Sequence, residues 1–273
     1  MTRIKTPLKV SLKIALSACL YAEILKVKRS KVFIATIIAM SIAPIMGALF
    51  TIVLRSPELS GGNAALMKKA ALTGFTPDWP SFLNLIAQAI GVGGIIVFGF
   101  IASWVFGREY SDRTAKDLFV LPVSRTLIVA AKMLTIVLWS IFICLIVLAE
   151  GLTFGYFLAL PGWSIEVFFE ALRLISVTSV LVIILSAPVT FIASIGKGYL
   201  APLAFVVLTV VFAQIIGALG FGVYFPWALP AIYSKIIGAQ SILNFTSYFI
   251  LIATSIAGLA ATIYYWKYVD QTM

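Results

Sequence analysis

The chain has 273 residues, of which 62% are hydrophobic and 11% charged, and its mean hydropathy is +1.11. A soluble domain carries about 25% charged residues, so the single soluble domain that length alone suggests is excluded in favour of a polytopic membrane protein. The net charge of +10 does not point to nucleic acid, because most basic residues sit just outside apolar runs, where they set membrane orientation.

Two further classes lose support from composition. There is no histidine, which removes His-based catalysis and most transition-metal sites. Cys19 and Cys144 are poorly placed for pairing and have no metal-ligand spacing.

In chain order, residues 1–31 come first as a basic N-terminal elbow. Leu8, Leu12, Ala15, Leu16 and Cys19 recur at helical spacing with Lys9 and Lys13 beside them. This pattern predicts a helix lying in the cytoplasmic interface, apolar side down. The basic stretch is long and the following apolar run exceeds a signal h-region, so the first span is expected to be retained.

A spanning helix needs about 20 apolar residues. Six runs qualify, at residues 32–53, 82–106, 133–154, 174–195, 200–219 and 243–266, giving an all-α, six-span membrane protein. The loop after the first run predicts a flexible turn, a short helix around 64–72 and a proline-marked start to the second span.

The second run carries Gly91, Gly93, Gly94 and Gly99, and Gly99–Ser103–Gly107 forms a small-xxx-small ladder. Such a ladder serves close packing within the chain or a seam with a partner, and the sequence leaves both open.

Between the second and third runs lies a dense polar insert, "REYSDRTAKDLFVLPVSRTLIVAAK" (residues 108–132), whose part up to residue 125 belongs to a cytoplasmic segment at 107–125. Read as a helix over 109–121, it places Tyr110, Thr114, Leu118 and Leu121 on one stripe. Glu109–Arg113 and Asp112–Lys116 are acid-to-base pairs at i,i+4. Pro122 stops this helix, and Ser124 caps the one that enters the third span. A solvated hairpin is the plain alternative. The apolar stripe favours docking into a groove of a cytoplasmic protein.

Glu150 lies late in the third run, an expensive place for an acid, and either serves the pathway or reaches outer water. Glu166, Glu170 and Arg173 precede the fourth run, where Glu170 and Arg173 read as an i,i+3 surface pair. Pro188 is expected to kink the fourth span. Gly196–Tyr199 is a tight turn, and Gln214 in the fifth run needs a hydrogen-bond partner. Residues 220–242 hold Pro226 and Pro230 among aromatics. An interfacial aromatic belt accounts for Tyr224, Phe225, Trp227 and Tyr233.

With the N-terminus inside, 15 Lys and Arg residues fall on the inner side and 5 on the outer, so both termini are expected in the cytoplasm.

"FGREYSDRTAKDLFVLPVSRTLIVAAK" resembles the cytoplasmic segment of type-2 ABC exporter permeases, through Glu109, Thr114, Leu118, Leu121, Pro122, Ser124, Arg125 and Lys132. Arg113 departs, standing where that family usually has glycine. "FPWALP" is similar to the bacitracin-resistance and lantibiotic-immunity branch. The resemblance implies a permease in the cell membrane with no cofactor of its own. ATP and Mg would reside on a separate cytoplasmic ATP-binding cassette subunit, present in two copies. A second permease chain, identical or different, would complete the pathway.

The implied coupling residues are Glu109, Tyr110, Asp112, Thr114, Leu118, Leu121, Pro122 and Arg125. Glu150, Gly91, Gly99, Pro226 and Pro230 stand as pathway or packing candidates. The family further suggests that residues 220–242 form short helices dipping back into the outer leaflet over the pathway. No GxxxxGK[ST] occurs in the chain. Three other classes compete: an ATP-independent secondary transporter, a membrane enzyme and a membrane-anchored assembly factor. The first would show repeats and mid-membrane charges, and the second a catalytic constellation; neither is evident.

Overall fold

The computed structural model describes residues 12–56, 75–112, 114, 123–236 and 243–269. The expected helix around 64–72, Leu8 of the N-terminal stripe, Arg113, Lys116, Leu118, Leu121 and Pro122 lie outside them. The described residues form helices and turns without a strand: α1 (Leu12–Lys28), α2 (Lys31–Arg55), α3 (Trp79–Ser111), α4 (Arg125–Phe157), α5 (Ile165–Ile184), α6 (Ser186–Ile195) and α7 (Leu200–Ala218). Two short 3-10 turns, Gly222–Tyr224 and Pro226–Ala228, lead into α8 (Leu229–Tyr233), and α9 (Phe245–Tyr268) is the last helix among the described residues.

Among the described residues, six helical segments are long and apolar enough to cross a membrane: α2, α3, α4, α5 with α6, α7 and α9. A membrane helix must satisfy its backbone without help from lipid, and its first N–H groups are the exposed ones. Five spans solve this with a side-chain cap. Ser30, Asp78, Ser124, Ser164 and Asn244 accept from Val32 N, Ser81 N, Leu127 N, Val167 N and Ser247 N at 3.0, 2.8, 3.4, 3.1 and 3.1 Å. The expected Ser124 cap is thus present. Asp78 also accepts from Thr76 Oγ1 at 2.5 Å. Burial works against its charge, but these hydrogen bonds prevail and hold its carboxyl below the usual range.

The spans run further than hydropathy suggests. α3 continues to Ser111, so Glu109 and Tyr110 end the second span instead of beginning a separate helix over 109–121. The fourth span starts at Ile165, which puts Glu166, Glu170 and Arg173 on the first turns of α5. It breaks at Leu185, three residues before Pro188, whose missing N–H and bulky ring interrupt the ladder where a kink was expected.

α3 is the central element, packed against α2, α4, α5, α6 and α7. This explains its glycines. A Cβ at Gly91 would stand 2.6 Å from Ser234 Oγ and 3.0 Å from the Pro230 carbonyl oxygen, beside α8. One at Gly99 would meet Val206 of α7 at 2.6 Å, and one at Gly107 the Gly198 carbonyl oxygen at 2.7 Å. Ser103 Oγ donates to the Tyr199 carbonyl at 3.3 Å. The ladder is therefore occupied by packing within the chain.

Pro226 and Pro230 open short helical turns, where a missing N–H costs nothing. Trp227 is buried between Phe205 and Phe225, at 5.4 and 5.6 Å between ring centroids, so it belongs to the core and not to an aromatic belt.

Candidate functional site

Two clusters lie at the α1 end of the bundle, where α3 ends and α4 begins. The first is ionic. Glu23 and Lys26 come from α1, Glu109 from the last turns of α3, and Lys132 from two turns inside α4. Lys132 is wholly buried, and its Nζ donates to Glu109 Oε1 at 2.7 Å, Glu23 Oε1 at 3.1 Å and the Val105 carbonyl at 3.0 Å. All three ammonium protons have acceptors. Lys26 Nζ donates to the same two carboxylate oxygens, at 2.9 Å to Glu23 and 2.7 Å to Glu109. Thr114 Oγ1 takes the other Glu109 oxygen at 2.7 Å.

Two acids and two bases give a cluster with no net charge. That balance is what allows it inside an apolar bundle, since a buried ion left unpaired costs several kcal/mol. Burial by itself would make Lys26 easier to deprotonate. Glu23 and Glu109 outweigh it and raise its pKa above the usual 10.5. The Lys132 ammonium also lies 5.9 Å from the Phe106 ring centroid.

The second cluster surrounds Trp266, a wholly buried residue near the end of α9. Phe106 and Tyr110 of α3 meet its ring at 5.6 and 6.3 Å, edge to face. Its Nε1 donates to Ser194 Oγ of α6 at 2.8 Å. Arg125, the first residue of α4, donates to the carbonyls of Trp266 and Lys267 at 3.3 and 3.4 Å. A cation there also suits the negative end of the α9 dipole.

The residues expected to couple therefore divide. Glu109 and Thr114 enter the ionic cluster, whereas Tyr110 and Arg125 hold Trp266. Asp112 remains at the surface, its side chain 47% exposed, and pairs with Arg108 Nε at 2.9 Å; the expected partner Lys116 lies outside the described residues. Arg108 in turn stacks 5.0 Å over Trp104. Glu109, with its side chain 2% exposed, presents no carboxylate to an external partner.

Glu23, Lys26 and Lys132 as a group escape sequence reading. Lys26 and Lys132 count there as orientation charges, and Lys132 also as part of the resemblance. Its spacing carries a signal, however: Ile128, Lys132, Thr135 and Trp139 share the buried face of α4. A lysine on a buried stripe calls for an acid opposite.

α1 itself is only partly as expected. Ala15, Leu16 and Cys19 of its stripe are half-buried, but Leu12 is exposed, and the most buried residues of the helix are Glu23 and Val27. It docks by charge as well as by apolar contact, mainly on α4.

Glu150 faces α2, where Ser41 Oγ donates to its Oε1 at 2.7 Å; its Oε2 is buried with no hydrogen-bond partner. At the opposite, α8 end, Arg55 crosses between loops, donating to the Leu158, Pro77 and Ala159 carbonyls. It thereby fixes the ends of α2 and α4 to the start of α3. No group of His, Cys, Asp and Glu able to hold a metal occurs among the described residues.

The comparisons with known proteins agree with this architecture. The family described as ABC-2 family transporter protein matches residues 19–215, which include α2 to α6 and nearly all of α7. The chain is 27% identical over 177 residues to the bacitracin transport permease protein BCRB of Bacillus licheniformis, covering 65% of this chain and 85% of that one. With six apolar helices among the described residues and a family match over most of its length, the chain belongs to the ABC-2 transporter family, as a membrane-spanning permease.

Proposed function

We propose that the chain exports an apolar or amphipathic substrate, driven by ATP that a separate cytoplasmic cassette subunit hydrolyses, with two cassettes serving two permease chains. The charge count supports a cytoplasmic α1 end, and with it cytoplasmic residues 112–124 and termini. The observation that carries the reading is the neutral four-charge joint: it binds α1, α3 and α4 beside that segment. A push on residues 112–124 would be passed to three helices together and, through Tyr110, Arg125 and Trp266, to α9.

Glu109 then acts by positioning, and Asp112 at the surface is the better candidate for touching the cassette. An apolar substrate is supported by a cavity of about 420 Å3 where α4 and α5 diverge, walled by Ile141, Cys144, Leu148, Ile175 and Ile183. The relative's name adds a peptide antibiotic as one candidate.

Co-purification from the native membrane tests the reading. The permease should bring down an ATP-binding subunit, and Asp112→Lys should weaken that pairing while leaving the permease's melting temperature unchanged. Transport that continues in proteoliposomes without ATP, or a permease that holds no such subunit, overturns it.

A further inference from the structure

At the α8 end the bundle opens into a cavity of about 490 Å3, bounded by the first turns of α3, the first half of α5 and the end of α8. Its polar lining contains both signs of charge. Arg173 and Lys235 supply two cations and Glu170 one anion. None of the three makes an ion pair or a side-chain hydrogen bond among the described residues, so the expected Glu170–Arg173 pair is absent. Asn84 lines the same cavity, and its Oδ1 is buried with no hydrogen-bond partner.

Orphaned buried oxygens are uncommon in folded proteins, and each calls for a donor. Glu170, Arg173 and Lys235 are exposed at the mouth of this cavity, where charges of both signs stand close enough to meet a ligand that carries both. The remaining wall is apolar, through Pro80, Val167 and Leu174.

Lys235 is held in place by its backbone. It follows α8 at φ 63°, a left-handed conformation that favours glycine, while Lys235 N and Ile236 N donate to the Ile232 and Ala231 carbonyls, both at 3.0 Å.

We infer that this cavity binds a zwitterionic amphiphile. Its anionic group would sit between Arg173 and Lys235, its N–H donors would face Glu170 and Asn84 Oδ1, and its apolar body would lie on Val167 and Leu174. The shared chemistry admits two sources, a bilayer lipid headgroup or a soluble acylated amino compound. The site does not depend on ATP coupling, and the test uses the full-length permease without a cassette subunit.

Binding of dihexanoyl phosphatidylethanolamine to the permease in detergent is compared with that of the dihexanoyl phosphatidylcholine and phosphatidylglycerol analogues. The choline headgroup lacks N–H donors, and the glycerol headgroup lacks the cation. Phosphatidylethanolamine should bind about tenfold more tightly than either, the scale of one hydrogen bond to a charged group.

Lys235→Gln should weaken all three probes about tenfold. Glu170→Gln should reduce the preference for ethanolamine over choline several-fold, Asn84 Oδ1 remaining as the second acceptor. Neither variant should lower the ligand-free melting temperature, because neither side chain holds a partner in the fold. Long-chain phosphatidylethanolamine retained on extraction from mixed bilayers identifies the bilayer as the source. Binding confined to the added probe and to Nα-octanoyl-lysine identifies a solute. Equal affinity for the three headgroups, or a headgroup preference unchanged by Glu170→Gln, overturns the inference.

Discussion

Lys132 concentrates the physics of the α1 end in one side chain. Its three protons are shared among Glu23, Glu109 and a carbonyl, and nothing but protein surrounds it. Lys132→Met keeps the volume but leaves two carboxylates facing Lys26 alone. Removing one partner of a buried ion pair costs about 3–5 kcal/mol. The variant should lose that much in thermal unfolding followed by tryptophan fluorescence. Adding Glu109→Gln removes a matching negative charge and should restore more than half; equal losses would assign the effect to packing. Lys26 gives the same cluster a pH signature. Its pKa is raised, so its contribution is complete below 10.5 and fades as pH climbs through the higher folded value. The gap in melting temperature between the unaltered chain and Lys26→Met should stay constant from about pH 6 to about pH 10, then narrow.

Among the elements, α6 and α9 approach each other backbone to backbone at Gly258. A Cβ on Gly258 would stand 2.6 Å from both N and Cα of Pro188 and 3.0 Å from the Ala187 carbonyl carbon. These are backbone atoms at the break in the fourth span, so they cannot rotate away. Gly258→Ala should therefore cost about 1–3 kcal/mol by overpacking, and Gly258→Val more, whereas Gly93→Ala, whose nearest new neighbour is Met40 Sδ at 3.9 Å, should be nearly silent. Melting curves of the three variants check the order.

The same elements show what could be read in advance. Hydropathy located all six spans, Pro188 marked the break, and Ser124 declared its cap, because each signal lies within a few neighbouring residues. The course of α3 through Arg108, Glu109 and Tyr110 was hidden. Glu109 and Tyr110 look like the start of a separate cytoplasmic helix until Lys26 and Lys132, 83 and 23 residues away from Glu109, come to neutralise it. Trp227 was hidden for a like reason: an aromatic beside a span suits the interface or the core equally, and only Phe205 from α7 decides.

For the whole molecule, the folded ion cluster bears on orientation. Two of the 15 basic residues counted for the inner side, Lys26 and Lys132, are neutralised in the fold by Glu23 and Glu109. The orienting bias is nonetheless read as the chain inserts, when acids weigh little, and 13 against 5 would still favour the same sense. Lys197 lies in the turn between α6 and α7 and Lys235 just after α8, both exposed and at opposite ends of the bundle. In a background of Cys19→Ser and Cys144→Ala, Lys235→Cys should react with a membrane-impermeant maleimide added to intact cells. Lys197→Cys should react only after the membrane is opened. Labelling of both from outside would break the six-span topology. The reverse pattern would keep the spans but invert the chain, placing residues 112–124 out of reach of any cytoplasmic ATPase and the zwitterion cavity on the inner face.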